Sequence, residues 1–322
     1  MTADADGTMG VVSGTLTPED LAARTARAVA AAVGAGRELG LEVGEPEVLH
    51  DVFSVVVHLA PAPVVVRVPT VLPPSLRADL AARQRRQRHE LDVVGWLAAQ
   101  GFPVIPPSPL VPRSPVVRDG FSMTFWRFVE VEEREPDYAR NAASTVALHA
   151  ALREYPGELP FLSSFDGSIG ESLDVLEAHP ELLAPADLER ARHEWAGLEP
   201  AFTSRAGFAA AFPGVAVQTV HGDSPPYNLV HTAGGDLHAD FELVTTGPVE
   251  LDLAMIGPEA EDAYDEAATE LGLPTLDRRV LAAVNAAAQL QVVACLALVP
   301  ELPILAEGLK PALDLWRGTP PG

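Results

Sequence analysis

His221-Gly222-Asp223-Ser224-Pro225-Pro226-Tyr227-Asn228 places an aspartate two residues after a histidine and five before an asparagine. A second aspartate follows in Ala239-Asp240-Phe241-Glu242. The order H-x-D-x-x-x-x-N, then D-F-x, suits phosphoryl transfer. One carboxylate takes and orients a hydroxyl proton, while an amide oxygen and a second carboxylate hold a divalent cation against phosphate. Singly, each residue has an ordinary explanation. Asp223 would cap its own turn, Asn228 would serve a turn, and Asp240 would be a polar strand end. Their order, set in a strand–loop–hairpin context, favours chemistry over coincidence.

The flanking residues supply that context. Residues 215–220 read as a short apolar strand entering the loop. Residues 228–232 and 237–241 flank Ala233-Gly234-Gly235-Asp236, the pattern of a β-hairpin with a Gly-Gly turn. Such a hairpin returns Asp240 to the side of Asn228. Two oxygen ligands then meet, a half-site that suits Mg-ATP, and Asp223 lies on the loop at the hairpin's mouth.

Strand signals otherwise cluster before Glu130. Residues 48–59 and 64–68 are rich in β-branched side chains and are separated by the turn 60–63. Residues 116–118 and 121–128 form a pair joined at Asp119-Gly120. Thr17, Pro18 and Asp20 read as a helix start, with apolar residues at helical spacing until Gly34 and Gly36 end the helix. A long helix is expected over 76–100, stopped by Gly101 and Pro103. From Glu130 onward helices dominate: 137–152, 185–202, and nearly everything after Asp252, broken at Gly272, Pro274 and Pro300. Strands and helices segregated in this way indicate an α+β fold of two lobes rather than a doubly wound sheet.

The 322 residues, 48% of them hydrophobic, are enough for two lobes, and the formal net charge of −23 disfavours a nucleic-acid partner. An acidic field attracts cationic small molecules, although acidic surfaces also serve solubility. The single cysteine, Cys295, lies in an apolar run and reads as a small buried hydrophobe. Residues 1–16 are expected to be a flexible tail, without the basic and apolar segments of a signal peptide. Residues 280–299 are the most apolar stretch, yet Asn285, Gln289, Gln291 and the following Pro300 favour a buried helix over a membrane span. A cytoplasmic protein with no membrane partner is the expectation. The run Arg83-Gln84-Arg85-Arg86-Gln87-Arg88 reads as a solvated helix face, with a phosphate-facing role for one arginine as the alternative.

The loop, Asp240-Phe241-Glu242 and Gly247-Pro248-Val249-Glu250-Leu251-Asp252-Leu253-Ala254 together resemble the aminoglycoside phosphotransferase and choline-kinase-like family of small-molecule kinases. That resemblance implies a bilobal protein-kinase-like fold. Residues 17–128 would form an N-terminal nucleotide-binding lobe, an antiparallel sheet with helices. Residues 129–322 would form a larger, mainly helical catalytic and acceptor-binding lobe. It implies Asp223 as catalytic base, Asn228 and Asp240 as Mg²⁺ ligands, and Asp252 as a structural brace. The family's nucleotide-anchoring lysine matches Arg67, a charge inside an apolar strand that needs a partner, with Glu90 the natural one. Arginine keeps the charge but is not equivalent to lysine. Residues 126–129, Phe128 among them, would be the hinge beside adenine.

Three departures stand out. The loop 49–54 has no glycine to let backbone approach phosphates, and Pro225 and Tyr227 replace the histidine and glycine common in the family. Tyr227 would then reshape the acceptor site. The implied reaction is ATP-dependent transfer of the γ-phosphate to a hydroxyl of a small molecule, with Mg²⁺, by a monomer or homodimer. An aminoglycoside-like, amino-alcohol or sugar acceptor is expected. Glu259, Glu261, Asp262, Asp265 and Glu266 offer contacts to a cationic one, with an exposed face as the plainer explanation. A catalytically silent nucleotide or ligand binder of the same fold is the alternative. A protein kinase is disfavoured, because Glu242 stands where D-F-G has glycine and no A-P-E segment follows.

Overall fold

The computed structural model describes residues 15–165 and 168–320. Most of the expected tail lies outside that range, and Leu16 is already tied by its N–H to the Pro300 carbonyl at 2.8 Å.

Helix α1 (Pro18–Glu38) starts at a reciprocal cap: Thr17 Oγ1 accepts from Asp20 N at 3.2 Å, and Asp20 accepts from Thr17 N at 3.0 Å. It runs through Gly34 and Gly36 instead of ending there. A Cβ on Gly36 would lie 2.6 Å from Leu59 Cδ1, so this glycine permits close approach to the sheet. Ala28, Ala31, Ala32 and Ala35 lie on that face, packed against Val55, Val57, Val64 and Val66.

The sheet comprises β1 (Glu47–Asp51), β2 (Ser54–His58), β3 (Val64–Pro69), β4 (Val116–Arg118) and β5 (Phe121–Arg127). Its order is β1-β2-β3-β5-β4 and every pairing is antiparallel. Asp119 and Gly120 both take left-handed backbone, φ 50° and 81°, as a tight two-residue hairpin turn requires. Arg67 lies on the central β3, opposite Val56 and Thr124. The helix expected over 76–100 is two helices, α2 (Pro74–Ala78) and α3 (Leu80–Ala99). Asp79 breaks it with extended backbone and caps α3, accepting from Ala82 N at 2.9 Å. A capping aspartate offers the backbone a better partner at a helix start than within a helix.

The chain after β5 is mainly helical: α4 (Tyr138–Arg153), α5 (Ser168–Glu177), α6 (Pro185–Phe202) and α7 (Arg205–Ala211) precede the predicted hairpin. β6 (Gln218–Val220) pairs with β9 (Thr245–Gly247), and between them β7 (Leu229–Thr232) pairs with β8 (Gly235–His238). Four helices close the chain: α8 (Pro258–Glu270), α9 (Arg278–Ala294), α10 (Leu305–Gly308) and α11 (Lys310–Gly318). The stretch Arg278–Leu298 is apolar and long enough to cross a membrane by length and composition. Here it packs with Phe165, Ile169, Trp195, Phe202 and Trp316 in one core, and Gln291 donates to the Ser164 carbonyl at 2.7 Å. Val71, just past β3, joins this second core, so the link between sheet and α2 leans on the helical part. The architecture is α+β: an antiparallel sheet with its helices, then a larger helical body.

Candidate active site

The loop from His221 to Asn228 hangs on one buried carboxylate. Asp252, in the short helical turn Val249–Leu253, accepts from His221 N at 2.8 Å and Gly222 N at 2.7 Å, and pairs with His149 Nε2 of α4 at 2.9 Å. Gly222 has φ 87°, and a Cβ there would lie 2.1 Å from the Leu243 carbonyl oxygen, so no side chain fits. Ser224 and Asp240 take left-handed backbone without being glycine, φ 36° and 58°. Such conformations cost about 1–3 kcal/mol each and persist only where the surroundings impose them. Asn228 Nδ2 donates to the Asp223 carbonyl at 2.6 Å, which turns its Oδ1 free as an acceptor.

Asp223 faces the cavity beneath the sheet. Burial raises its carboxyl to about 6; Asp240, Glu242 and Asp252 push the same way, and His221 opposes them. A carboxylate poised there is a better proton acceptor near neutral pH than an exposed one.

Opposite it, Arg67 holds a cluster. Its guanidinium contacts Glu90 and Asp240 directly and Glu242 at 3.3 Å. Glu90 is sealed, its side chain 2% exposed, whereas Asp240 and Glu242 remain open at 43% and 35%. Burial alone would lower the Arg67 pKa, but the three carboxylates outweigh it and hold the guanidinium charged. Burial pushes Glu90 upward against the pull of Arg67. With Arg67 set against Glu90 and the two open carboxylates of Asp240 and Glu242, the cluster keeps a surplus of negative charge. That surplus, two open carboxylates and the free Asn228 Oδ1 fit a divalent cation. Among the described residues no group of three or more His, Cys, Asp or Glu is arranged to hold a metal alone. A cation here would need phosphate or water oxygens as well, as Mg²⁺ prefers.

Two cavities meet at Arg67 and Glu90. The first, about 230 Å³, is an apolar slot between Leu49, Val56, Val65, Trp126, Val129 and Val230, ending on Asp240. Phe128 is not among its walls. The ring of Phe128 stacks on His58 at 3.8 Å and its N–H donates to the Pro63 carbonyl at 3.0 Å, so the backbone turns it away while Arg127 and Val129 face the slot. The second cavity, about 520 Å³, opens at Asp223. The β3–α2 link, α3 and α9 build its walls, including Leu72, Leu76, Arg83, Arg86 and Gln291.

Other expectations need correction. Cys295 is a half-buried wall residue of the second cavity, its thiol pushed up to about 11 by burial. Tyr227 lies exposed against Tyr138, ring centroids 4.6 Å apart, and lines neither cavity. The acidic residues of α8 do not line the second cavity either. Glu261 and Asp265 pair with Arg278 at 2.8 and 2.6 Å, and Asp262 lies 3.7 Å from it. Arg278 thus supplies one counter-charge to that acidic face. Arg83 and Arg86 read as a solvated face, yet Glu90 lies one and two turns further along the same helix face. That spacing was the available signal.

The fold, with this loop and hairpin in place, has counterparts among solved structures. No protein-family model matches the chain, and no curated protein sequence matches it. Solved structures do. Amicoumacin kinase hAmiN, in complex with AMP-PNP, Ca²⁺ and Ami, is 13% identical with TM-score 0.59, covering 93% of this chain and 96% of that one. Aminoglycoside 2'-phosphotransferase-IIIa, solved with GDP, is 14% identical with TM-score 0.58, covering 88% and 96%. The choline kinase LicA from Streptococcus pneumoniae is 14% identical with TM-score 0.55, covering 89% and 92%. The chain has the protein-kinase-like fold of aminoglycoside phosphotransferases and choline kinases.

Proposed function

We propose that this protein is an ATP-dependent phosphotransferase that moves the γ-phosphate to a hydroxyl of a small molecule, with Mg²⁺ as cofactor. One observation carries the reading: an apolar slot and a larger cavity share Arg67 and Glu90, with Asp240 in the first and Asp223 in the second. Adenine suits the apolar slot, with Arg127 and Val129 at its hinge side. Arg67, fixed by Glu90, grips phosphate oxygens as a planar fork. Asn228 Oδ1 and Asp240 would hold Mg²⁺, which when bound neutralises charge on the phosphate oxygens. Asp223 accepts the proton of the acceptor hydroxyl and aims its oxygen at the phosphorus. Rate enhancement then comes from positioning and fixed charge. Lobes divided at residues 128/129, a monomeric or homodimeric state and a cytoplasmic location complete the proposal.

A catalytically silent nucleotide binder of the same fold is the second reading. The pairing of Arg67 with Asp240 favours it, because the arginine competes with a metal for that carboxylate. The glycine-free turn at Val52-Phe53 points the same way. Thermal shift with Mg-ATP and Mg-GTP, then a nucleotide-consumption screen over amino alcohols, aminoglycosides, sugars and hydroxy acids, separates the two. Turnover that disappears in Asp223→Asn with nucleotide binding intact supports the enzyme. Binding with no turnover on any acceptor supports the silent binder, and no Mg-nucleotide binding at all overturns both.

A further inference from the structure

The cavity beside Asp223 carries its own charge signature. Away from the Arg67 cluster and Asp223, the charged wall residues among those described are Arg83 and Arg86, one turn apart on α3. Neither has a carboxylate within salt-bridge distance among the described residues, although the chain carries 45 acidic residues against 22 basic ones. Arg86 donates its Nε to the Glu242 carbonyl at 2.9 Å, which anchors the stem and leaves the terminal nitrogens of the guanidinium unpaired in the structure. Arg83 reaches only the Gly120 carbonyl at 3.4 Å, and its buried Nε has no partner. Gln87 is committed to Ser122, through its amide nitrogen to the carbonyl at 2.9 Å and its oxygen to the hydroxyl at 2.5 Å. Ser54, Ser224 and Gln291 add polar groups, and much of the remaining wall is apolar: Val71, Leu72, Leu76, Leu251, Val292 and Leu298.

A polycationic acceptor finds two repelling guanidiniums here, and the acidic residues of α8 do not line this cavity. We infer that the acceptor is an amphipathic alcohol bearing an anionic group, a carboxylate or phosphate held by Arg83 and Arg86, with an apolar body against the α9 and β3–α2 walls. This rests on the phosphotransferase reading for the word acceptor; binding itself does not. The net negative charge of the chain slows the approach of such a molecule but does not forbid it. Beyond about 8–10 Å the field is screened at physiological salt, and Arg83 and Arg86 lie in the cavity wall itself. A planar fork engages a carboxylate or phosphate bidentately, contacts that are stronger than neutral hydrogen bonds.

The test uses matched triplets that differ only in the group remote from the hydroxyl: ω-hydroxyoctanoate, octane diol and ω-amino-octanol, with a corresponding aryl set. Titration calorimetry on the full chain, with and without Mg-ATP, measures affinity independently of turnover. The acid should bind at least about tenfold more tightly than the diol, and the diol no more weakly than the amine. Arg83→Gln and Arg86→Gln should each erode that preference and the double variant should abolish it, with Mg-ATP affinity unchanged. Equal or reversed preference, or no binding of any member while Mg-ATP binds, overturns the inference and leaves the phosphotransferase reading standing. So does a double variant that loses nucleotide affinity with its preference intact, since the arginines would then serve the triphosphate. Failure of Mg-ATP binding with the acid preference present strikes the enzyme reading instead.

Discussion

The apolar slot and the cavity beside Asp223 share Arg67 and Glu90 but are assembled in different ways. The slot is lined largely by residues of β1, β2, β3, β5 and β7, and its charged end follows the spacing of a short sequence motif. The cavity collects residues from the β3–α2 link, α3, the catalytic loop and α9, segments more than two hundred residues apart. Reaction chemistry needs a few atoms in fixed relation, which one loop and one hairpin deliver. Specificity is spread over whatever surfaces packing brings together.

The sharpest way to break this division is at Asp223. Asp223→Asn should lower turnover by about 10²–10⁴-fold while Mg-nucleotide affinity stays within about twofold, measured by steady-state kinetics and calorimetry. A parallel loss of nucleotide affinity would show that Asp223 belongs to the slot. Next in size is the charge that joins the two regions. Arg67→Met strands the sealed Glu90 and should cost about 3–5 kcal/mol in urea unfolding, with most of it restored in Arg67→Met/Glu90→Leu. Equal stability of single and double variants would mean that Glu90 does not depend on Arg67.

Gly222→Ala forces a Cβ onto the Leu243 carbonyl at a positive φ, and about 2–4 kcal/mol of destabilisation is expected, with turnover lost before nucleotide binding. A smaller effect concerns protons. In the ligand-free protein Asp223 titrates at about 6, above its ordinary 3.8, so the folded state holds that proton more tightly than the unfolded state. The stability this lends is present at low pH and disappears as pH rises from about 4 to about 6. Asp223→Asn should match the parent Tm near the bottom of that window and exceed it above, and a constant Tm difference would refute the burial assigned to this carboxyl. Smallest is Arg278→Ala, which removes exposed ion pairs and should cost no more than about 1 kcal/mol with acceptor binding unchanged. A change in acceptor affinity would return the acidic face of α8 to the site.

Much of the site was legible because its information is local. The hairpin signals around Ala233-Gly234 bring Asn228 and Asp240 to neighbouring positions, and the lone charge in β3 does meet Glu90. Asp252 anchors the loop through two backbone N–H groups. Phe128 does not line the slot because its ring turns toward His58, a facing that depends on how the strand end turns and not on local spacing. The helix ends at Gly34 and Gly36 were misread because glycine permits both a stop and a close contact, and only the neighbouring Leu59 decides between them.

Residue order alone determined the segregation of strands from helices and the set of groups able to carry phosphoryl-transfer chemistry, since periodicity and motif spacing act over a few residues. Only the tertiary structure decided that Arg67 serves three carboxylates, that Arg278 pairs with Glu261 and Asp265 of α8, and that Arg83 and Arg86 line a cavity. Electrostatic partners are fixed by distance in space. For these residues that distance is set by the packing of sheet, link and α9, which no local pattern encodes.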